Sequence, residues 1–387
     1  MTRSKIKNVW RIDCMKYNKF GKTDIELSVL GFGGAKFRNT GKSNEENSER
    51  VLYAISKGVN HFDSNIGYTN SEEIFGLAIK QSKRDELYVS TKNQPAFYKT
   101  KQQQLDEIKR SLENMGLSHF DFYYMWNVKR YNEYEKAISA EDQYETLLEA
   151  KNQGMIRHIC LSSHLDANES IKIIDDGKIE GILLNMNILN FPYSIDAAAH
   201  AKTKGIGVGI MSPLYGGQIP FNEEKLSFLN MHGFSPVGEA LCFASGLWCV
   251  DYAYVGFRTN EEVDFACEIV DKNIIVDDNE LSKIHRIVKS GLDKACCGCT
   301  YCMPYCPMHI PVVEYMLYYN LKYIYGYSQE DFENRLGFHK QWFMLAKRKA
   351  DAKDCIKCGA CEKECTQHID IIARLGEIAK IEERLNI

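Results

Sequence analysis

Two cysteine quartets with the same C-x2-C-x2-C-x3-C spacing lie near the carboxyl-terminal end of this chain. The first consists of Cys296, Cys299, Cys302 and Cys306, and the second of Cys355, Cys358, Cys361 and Cys365. A C-x2-C-x2-C turn brings three thiolates to one small volume, which is what a [4Fe–4S] cubane requires. In proteins with two such clusters, the fourth cysteine of each run ligates the other cluster.

The quartets therefore predict two [4Fe–4S] clusters with crossed ligands, in which Cys365 completes the first site and Cys306 completes the second. Cys297 lies beside Cys296 and could replace it as a ligand. Thr366 stands where a proline often follows the fourth cysteine. The alternative is a pair of zinc sites, although zinc sites usually use two CxxC pairs rather than two complete quartets.

The composition indicates a globular protein of a reducing compartment. The chain has 387 residues, 44% of them hydrophobic, and 14 cysteines, which in the cytoplasm point to metal or cluster ligation rather than to disulfides. The first residues have no apolar signal region, and no run approaches the ~18 apolar residues of a membrane helix. With a net charge of −4 and no basic block, we expect no nucleic-acid partner.

Short β-rich runs alternate with charged helical stretches through the first two thirds of the chain, a pattern typical of a parallel sheet with helical crossovers. The predicted strands are Ser28–Phe32, Asn60–Asp63, Leu87–Thr91, Phe120–Trp126, Ile156–Ser162, Gly181–Asn187, Ile206–Met211 and Asp251–Val255. Eight strands, each followed by a helix, favour a closed (β/α)8 barrel. The segment Tyr17–Ser28 predicts a hairpin that could plug one barrel end.

The composition changes after Ser290, where the cysteines crowd together and the remaining segments become helical in character. We therefore predict three parts: an extension over 1–16, the α/β barrel over 17–290, and an α-helical, ferredoxin-like dicluster domain over 291–387.

Three polar residues follow the second and third predicted strands, at the barrel end where such enzymes place their chemistry. Asp63 ends the second strand, Tyr68 follows in its loop, and Lys92 ends the third strand. A lysine ammonium stabilises a neighbouring phenolate, and an aspartate would orient that lysine and keep it charged. Such a trio could protonate a carbonyl oxygen while hydride arrives at the carbon, or catalyse the reverse reaction.

The segments FDSNIGYTNSEEIFGLAI, YVSTKNQ, GMIRHICLSSH and MSPLYGG occur in this order and together resemble the aldo/keto reductase family. More narrowly, the chain is similar to the iron–sulfur branch of that family, from about Tyr17 to its end. The resemblance implies a reductase barrel with Tyr68 as general acid/base and with Lys92 and Asp63 as its supporting pair.

The resemblance also implies an NADP or NAD site. The nicotinamide carboxamide would contact Ser162, with Asn185 as a second candidate, while Met211 stands where an aromatic ring often stacks on the nicotinamide. The pyrophosphate loop would include Ser212, Leu214, Gly216 and Gly217, whose backbone amides could surround an anion. Gly256 and Arg258 match the adenosine-phosphate loop, where Arg258 could bind a 2′-phosphate; the alternative is a solvated arginine at a helix start.

One residue departs from the family pattern. Trp126, in the segment YYMWN, occupies the position where the family usually has a histidine. Because an indole cannot titrate, the role of that histidine is lost or is taken by Asn127.

The leading hypothesis is an iron–sulfur oxidoreductase that interconverts a small-molecule carbonyl and a hydroxyl group, with sugars among the candidate substrates. The clusters would connect the barrel to a ferredoxin or flavin electron partner. One alternative is an isomerase or epimerase that uses retained nicotinamide. Another is a redox-sensing or electron-carrier protein with slow turnover.

Overall fold

A computed structural model describes residues 15–93, 100–129, 131–139, 143–292, 295–324, 326–346, 348–365 and 367–387. The predicted extension over 1–16 thus lies almost wholly outside the described residues. The side chain of Asn127 is also outside the described part of the chain.

Eight parallel strands form a closed barrel in which each strand pairs with the next along the chain and the last pairs with the first. They are β3 (Leu30–Gly33), β4 (His61–Asp63), β5 (Tyr88–Asn93), β6 (Phe120–Val128), β7 (Ile156–Ser163), β8 (Gly181–Asn185), β9 (Gly207–Met211) and β10 (Tyr252–Val255). Each predicted strand overlaps one of these. The predicted (β/α)8 barrel is therefore confirmed.

An antiparallel hairpin precedes the barrel, as predicted, and consists of β1 (Tyr17–Lys19) and β2 (Glu26–Ser28). The hairpin turn inserts the fully buried Phe20 ring between the starts of the barrel strands. A Cβ atom on Gly207, the first residue of β9, would come within 2.1 Å of this ring. The hairpin thus closes the amino-terminal end of the barrel and leaves the carboxyl-terminal end as the mouth.

Helices surround the barrel, and six of those in the described residues begin at a residue whose side chain caps a free backbone amide. The surrounding helices are α1 (Asn44–Ser56), α2 (Ser71–Ile79), α3 (Lys101–Met115), α4 (Tyr131–Ala137), α5 (Gln143–Asn152), α6 (Ala167–Asp175), α7 (Ile195–Thr203), α8 (Gln218–Phe221), α9 (Pro236–Gly246), α10 (Asn260–Asp271) and α11 (Asp278–Gly291). Ser43 and Glu46 form a capping box at α1, and Thr259 caps α10. The sequence did not predict α4, α8 or α11.

The carboxyl-terminal part of the chain is helical, as predicted. Its helices are α12 (Val312–Tyr323), α13 (Gln329–Trp342), α14 (Ala360–Lys363) and α15 (Ile371–Leu385). The buried Lys340 ammonium holds α13 to α15 through Glu382 Oε1 at 2.8 Å, and the Tyr315 hydroxyl donates to the same carboxylate at 2.7 Å. Among the helices of the described residues, none is long and apolar enough to cross a bilayer.

The helical part packs over the mouth of the barrel. The Tyr193 hydroxyl, in the segment after β8, donates to Glu314 Oε1 on α12 at 2.8 Å. Gln218 Nε2, after β9, donates to the hydroxyl of Tyr327 at 2.8 Å. The region that carries the cysteine quartets therefore contacts the end of the barrel where the polar residues predicted to be catalytic lie.

Candidate functional site

Asp63, Lys92 and Tyr68 lie together at the barrel mouth. The Lys92 ammonium forms a buried ion pair with Asp63 Oδ2 and donates to the backbone oxygen of Ser64 at 2.9 Å. Lys92 Nζ also lies 5.1 Å from the centroid of the Tyr68 ring. One ammonium thus contacts both the carboxylate and the half-buried phenol ring.

A network of hydroxyl groups lies behind this trio inside the barrel. Ser90 Oγ donates to Asp63 Oδ1 at 2.8 Å and lies 3.1 Å from the Tyr254 hydroxyl, while the hydroxyls of Tyr124 and Tyr252 are hydrogen-bonded to each other. Burial raises the pKa of all three tyrosines well above the ordinary value, so their hydroxyls stay protonated.

The sequence patterns did not predict this network. A signal was present in β10, because alternate residues of a barrel strand point inward and Tyr252 and Tyr254 have that spacing.

Trp126 lies on β6 close to the mouth and is half-buried. The strand register shifts between Met125 and Val128, so this stretch departs from regular pairing with β7. The catalytic roles predicted for Trp126 and Asn127 stay predictions.

The predicted nicotinamide contacts lie side by side on neighbouring strands. Asn185 on β8 pairs in register with Met211 on β9. Ser162 on β7 is fully buried, with its Oγ 3.8 Å from the sulfur of Met211. The three side chains therefore form one patch on the barrel wall.

The predicted pyrophosphate loop after β9 has an unusual backbone. Ser212, Tyr215, Gly216 and Gly217 all have positive φ values of 58°, 50°, 65° and 98°. Turns of this kind direct successive backbone amides toward one point and bind anions. Leu214 is half-buried against the core at the base of the loop.

Lys36 is a candidate that the sequence analysis missed. Its ammonium donates to the backbone oxygen of Gly216 at 2.7 Å. A Cβ atom on Gly256 would lie 2.6 Å from Lys36 Cγ, so the lysine passes directly between the two predicted phosphate loops. The sequence contained a signal for this lysine, because Lys36 closely follows Gly33 and Gly34 at the carboxyl end of β3.

Arg258 is exposed, and its guanidinium is already engaged by a carboxylate. Its Nε and Nη2 lie 2.9 and 2.7 Å from Glu262 Oε1, and its backbone amide donates to Glu262 Oε2 at 2.6 Å. Glu262 therefore engages two of the three guanidinium nitrogens with which Arg258 could bind a 2′-phosphate.

The second crossed set of cysteines surrounds one cavity. Cys306, Cys355, Cys358 and Cys361 all line one open pocket, together with apolar side chains such as Ile372 and Leu375. These are the four ligands that crossed ligation predicts for one cubane. This set of four thiols from two quartets fits such a cluster.

The first crossed set also converges. Burial, together with the neighbouring thiols of Cys299 and Cys365, raises the pKa of Cys296 to about 12. Cys302 likewise interacts with Cys365. Among the described residues, no three Cys, His, Asp or Glu side chains approach as closely as the ligands of a single metal ion.

The backbone beside the first set is held by Asn320. Its Oδ1 accepts from the Cys296 amide at 3.0 Å and its Nδ2 donates to the Cys296 carbonyl at 2.7 Å. Cys297 Sγ accepts from Gln367 Nε2 at 3.6 Å, so that thiol has its own partner.

The two sets differ in their position relative to the barrel. The buried hydroxyl of Tyr215, in the loop after β9, interacts with the Cys296 thiol, and a Cβ atom on Gly298 would lie 3.7 Å from the Asn190 carbonyl oxygen. The first set therefore borders the barrel mouth, whereas Cys358 of the second set is exposed to solvent.

Comparison with known proteins agrees with this architecture. The sequence profile of the aldo/keto reductase family matches residues 29–233, and that of the 4Fe-4S dicluster domain matches residues 295–370. Since the first match covers more than half of the chain, the protein belongs to the aldo/keto reductase family. It is an iron–sulfur oxidoreductase of that family with a carboxyl-terminal dicluster domain, which confirms the resemblance seen in the sequence.

Individual relatives are more distant. The NADH-specific methylglyoxal reductase of Escherichia coli (strain K12) is 27% identical over 227 residues, which cover 52% of this chain and 68% of that protein. The 7-acetyl-epi-neemfruitin B aldo-keto reductase of Melia azedarach is 32% identical over 113 residues, which cover 27% and 32% of the two chains. The holo form of an aldo-keto reductase from Bacillus halodurans has a TM-score of 0.57 and 18% identity, covering 70% of this chain and 96% of that one. At this identity the solved structure supports the fold alone.

Proposed function

We propose that this protein interconverts a carbonyl and a hydroxyl group on a small molecule at the barrel mouth, with Tyr68 as general acid/base. The observation that carries the proposal is the position of the Lys92 ammonium between Asp63 and the Tyr68 ring. A bound nicotinamide nucleotide supplies or accepts the hydride.

Each member of the trio has one task. The Tyr68 hydroxyl delivers a proton to the carbonyl oxygen, or removes it in the reverse direction. The Lys92 ammonium stabilises the phenolate that remains, and the Asp63 carboxylate keeps that ammonium charged and in place. Trp126 forms part of the wall of the site and, because it cannot titrate, leaves proton transfer to Tyr68.

The nucleotide would lie across the patch and loops after β7, β9 and β10. Ser162 and Asn185 would contact the carboxamide, and Met211 would lie under the ring. The amides of the loop from Ser212 to Gly217 would surround the pyrophosphate, with the Lys36 ammonium beside them.

The same geometry favours NAD over NADP, because the Glu262 carboxylate occupies Arg258 and would repel a 2′-phosphate. Replacing Glu262 by glutamine removes the repulsion and frees the guanidinium. We expect the ratio of kcat/KM for NADPH to that for NADH to rise on the order of tenfold, the effect of ~1.4 kcal/mol. Steady-state kinetics with both nucleotides measures the ratio. Glu268→Gln, an exposed change on the same helix, is the matched control and should leave it unaltered.

The dicluster region would hold two [4Fe–4S] clusters, one on Cys296, Cys299, Cys302 and Cys365 and one on Cys306, Cys355, Cys358 and Cys361. These clusters supply one-electron transfer, for exchange with a ferredoxin or flavin partner. We place the barrel at 17–290 and the cluster region at 291–387, and we propose that the protein works in the reducing cytoplasm, since a cluster ligated by thiolates suits that compartment.

Anaerobic reconstitution followed by a nicotinamide assay tests the proposal. We expect about eight irons per chain, from two four-iron clusters, and hydride transfer from labelled NADH to at least one member of a panel of aldehydes, ketones and sugars. Iron far below that level would overturn the cluster assignment. A chain that binds NADH yet transfers no label to any substrate would overturn the carbonyl chemistry and favour a sensor or an electron carrier.

A further inference from the structure

A pocket opens at the barrel mouth between the barrel and the helices of the dicluster region. On the barrel side it is lined by His164, directly after β7, by Asn185, the last residue of β8, and by Asn190. On the other side it is lined by Glu314 on α12 and by Met344, which follows α13. The two parts of the chain therefore share this pocket, and neither part forms it alone.

Glu314 brings a carboxylate to the shared pocket. The residue is 1% exposed, and its Oε1 accepts a hydrogen bond at 2.8 Å from the hydroxyl of Tyr193, which also lines the pocket. Burial raises the pKa of Tyr193 well above the ordinary value, so this hydroxyl stays protonated and continues to donate. The hydrogen bond thus fixes the carboxylate at the boundary between the barrel and α12.

The polar groups of the pocket suit a ligand that carries hydroxyl groups. The carboxamides of Asn185 and Asn190 and the imidazole of His164 can each donate and accept hydrogen bonds, whereas a carboxylate such as that of Glu314 accepts them. A hydroxyl group is both a donor and an acceptor, so it can bond to every one of these groups. The described residues that line the pocket include no Lys or Arg, the permanent cations that phosphate and carboxylate ligands prefer.

The pocket adjoins the patch proposed for the nicotinamide. Asn185 belongs to both, since it lines the pocket and pairs in register with Met211 on β9. In the closed barrel β8 lies opposite β4, and β4 leads into the loop that carries Tyr68. A substrate whose carbonyl meets Tyr68 would therefore extend across the mouth toward Glu314.

We infer that this pocket binds the hydroxyl groups of a neutral, polyhydroxylated carbonyl substrate, and that Glu314 of the dicluster region determines specificity for it. The inference deepens the carbonyl chemistry proposed above and rests on it. Hydrogen bonds from substrate hydroxyls to a carboxylate are stronger than bonds between neutral groups. A site built to bond hydroxyl groups also rejects an analogue that lacks them. The dicluster region would thus select the substrate as well as carry the clusters.

The test compares Glu314→Gln with Glu383→Gln, the same change at an exposed site on α15. The substrates are D-erythrose, a neutral aldehyde with a hydroxyl group on each of its other carbons, and butanal, which has the same chain length without them. Steady-state kinetics of the anaerobic holoprotein with NADH measures both. We expect Glu314→Gln to lower kcat/KM for D-erythrose on the order of tenfold, because charge-assisted bonds become neutral ones, and to leave that for butanal unaltered. Glu383→Gln should change neither.

Binding of erythritol, the polyol that corresponds to D-erythrose, gives a readout that does not depend on turnover. Ligand-observed NMR measures its dissociation constant for the holoprotein without nucleotide, and we expect Glu314→Gln to raise this constant on the order of tenfold. Met344→Trp adds bulk at the half-buried edge of the pocket without changing the carboxylate, and it should weaken erythritol binding too. Circular dichroism and iron content check that every variant folds.

Equal erythritol binding by the two glutamine variants, or no erythritol binding by the unaltered protein, would overturn the inference and leave the role of Tyr68 standing. Tighter binding of 4-amino-1-butanol than of erythritol would also overturn it, because the pocket would then take a cation. If neither aldehyde is turned over but Glu314→Gln still weakens erythritol binding, the polyol site is supported and the carbonyl chemistry is contradicted.

Discussion

Tyr68→Phe is expected to lower kcat by about 10²–10⁴-fold, the usual contribution of a positioned general acid/base. The change removes only the hydroxyl, and the ring that lies 5.1 Å from Lys92 Nζ remains. Substrate and nucleotide should therefore bind nearly as before, and KM should change little. Steady-state kinetics with the substrate found in the panel measures both constants.

Tyr53→Phe provides the matched control. The Tyr53 hydroxyl bonds Asp264 on the outer surface, far from the mouth, so its loss should leave turnover unaltered. Iron content and the circular dichroism of both variants check that they fold. If Tyr68→Phe retains the activity of Tyr53→Phe, Tyr68 is not the proton donor, and the slow electron-carrier alternative becomes the better explanation.

Lys92→Met is expected to lower the free energy of unfolding by about 3–5 kcal/mol, because it leaves the Asp63 carboxylate buried without its cation. The two side chains are 2% and 7% exposed, so water cannot replace the lost ammonium. Urea denaturation of the anaerobic holoprotein measures the difference. Turnover should fall as well, since the ammonium beside Tyr68 is gone.

Two comparisons separate the effect of the buried charge on stability from the effect of a general packing defect. Asp63→Asn combined with Lys92→Met removes both charges and should recover part of the stability lost in the single variant. Lys83→Met breaks an exposed ion pair with Glu86 and should cost about 0–1 kcal/mol. A Lys92→Met variant as stable as Lys83→Met would show that the buried pair does not anchor the mouth.

Sequence alone determined the features that depend on short-range pattern. The spacing of the cysteines is a local feature, because one turn of chain brings three thiolates together. This spacing identified both quartets. The alternation of strands and helices predicted all eight barrel strands. Since parallel strands must end at one mouth, that alternation also placed Asp63, Tyr68 and Lys92 on the same side.

Only the tertiary structure decided features that join residues distant in the chain. The Lys36 ammonium donates to the backbone oxygen of Gly216, which lies 180 residues further along the chain. The hydroxyls of Ser90 and Tyr254 form a hydrogen bond in the barrel interior. No periodicity specifies these pairs, since each depends on side-chain rotamers and on how strands pair around a closed barrel.

The different positions of the two cysteine sets also depend on tertiary packing. Their spacings are identical, so the sequence treats them alike. The packing of α12 and its neighbours on the loops after β8 and β9 places one set against the barrel mouth and leaves the other facing solvent. Burial is a property of the assembled surfaces rather than of any local motif, and it alone distinguishes the inner set from the outer one.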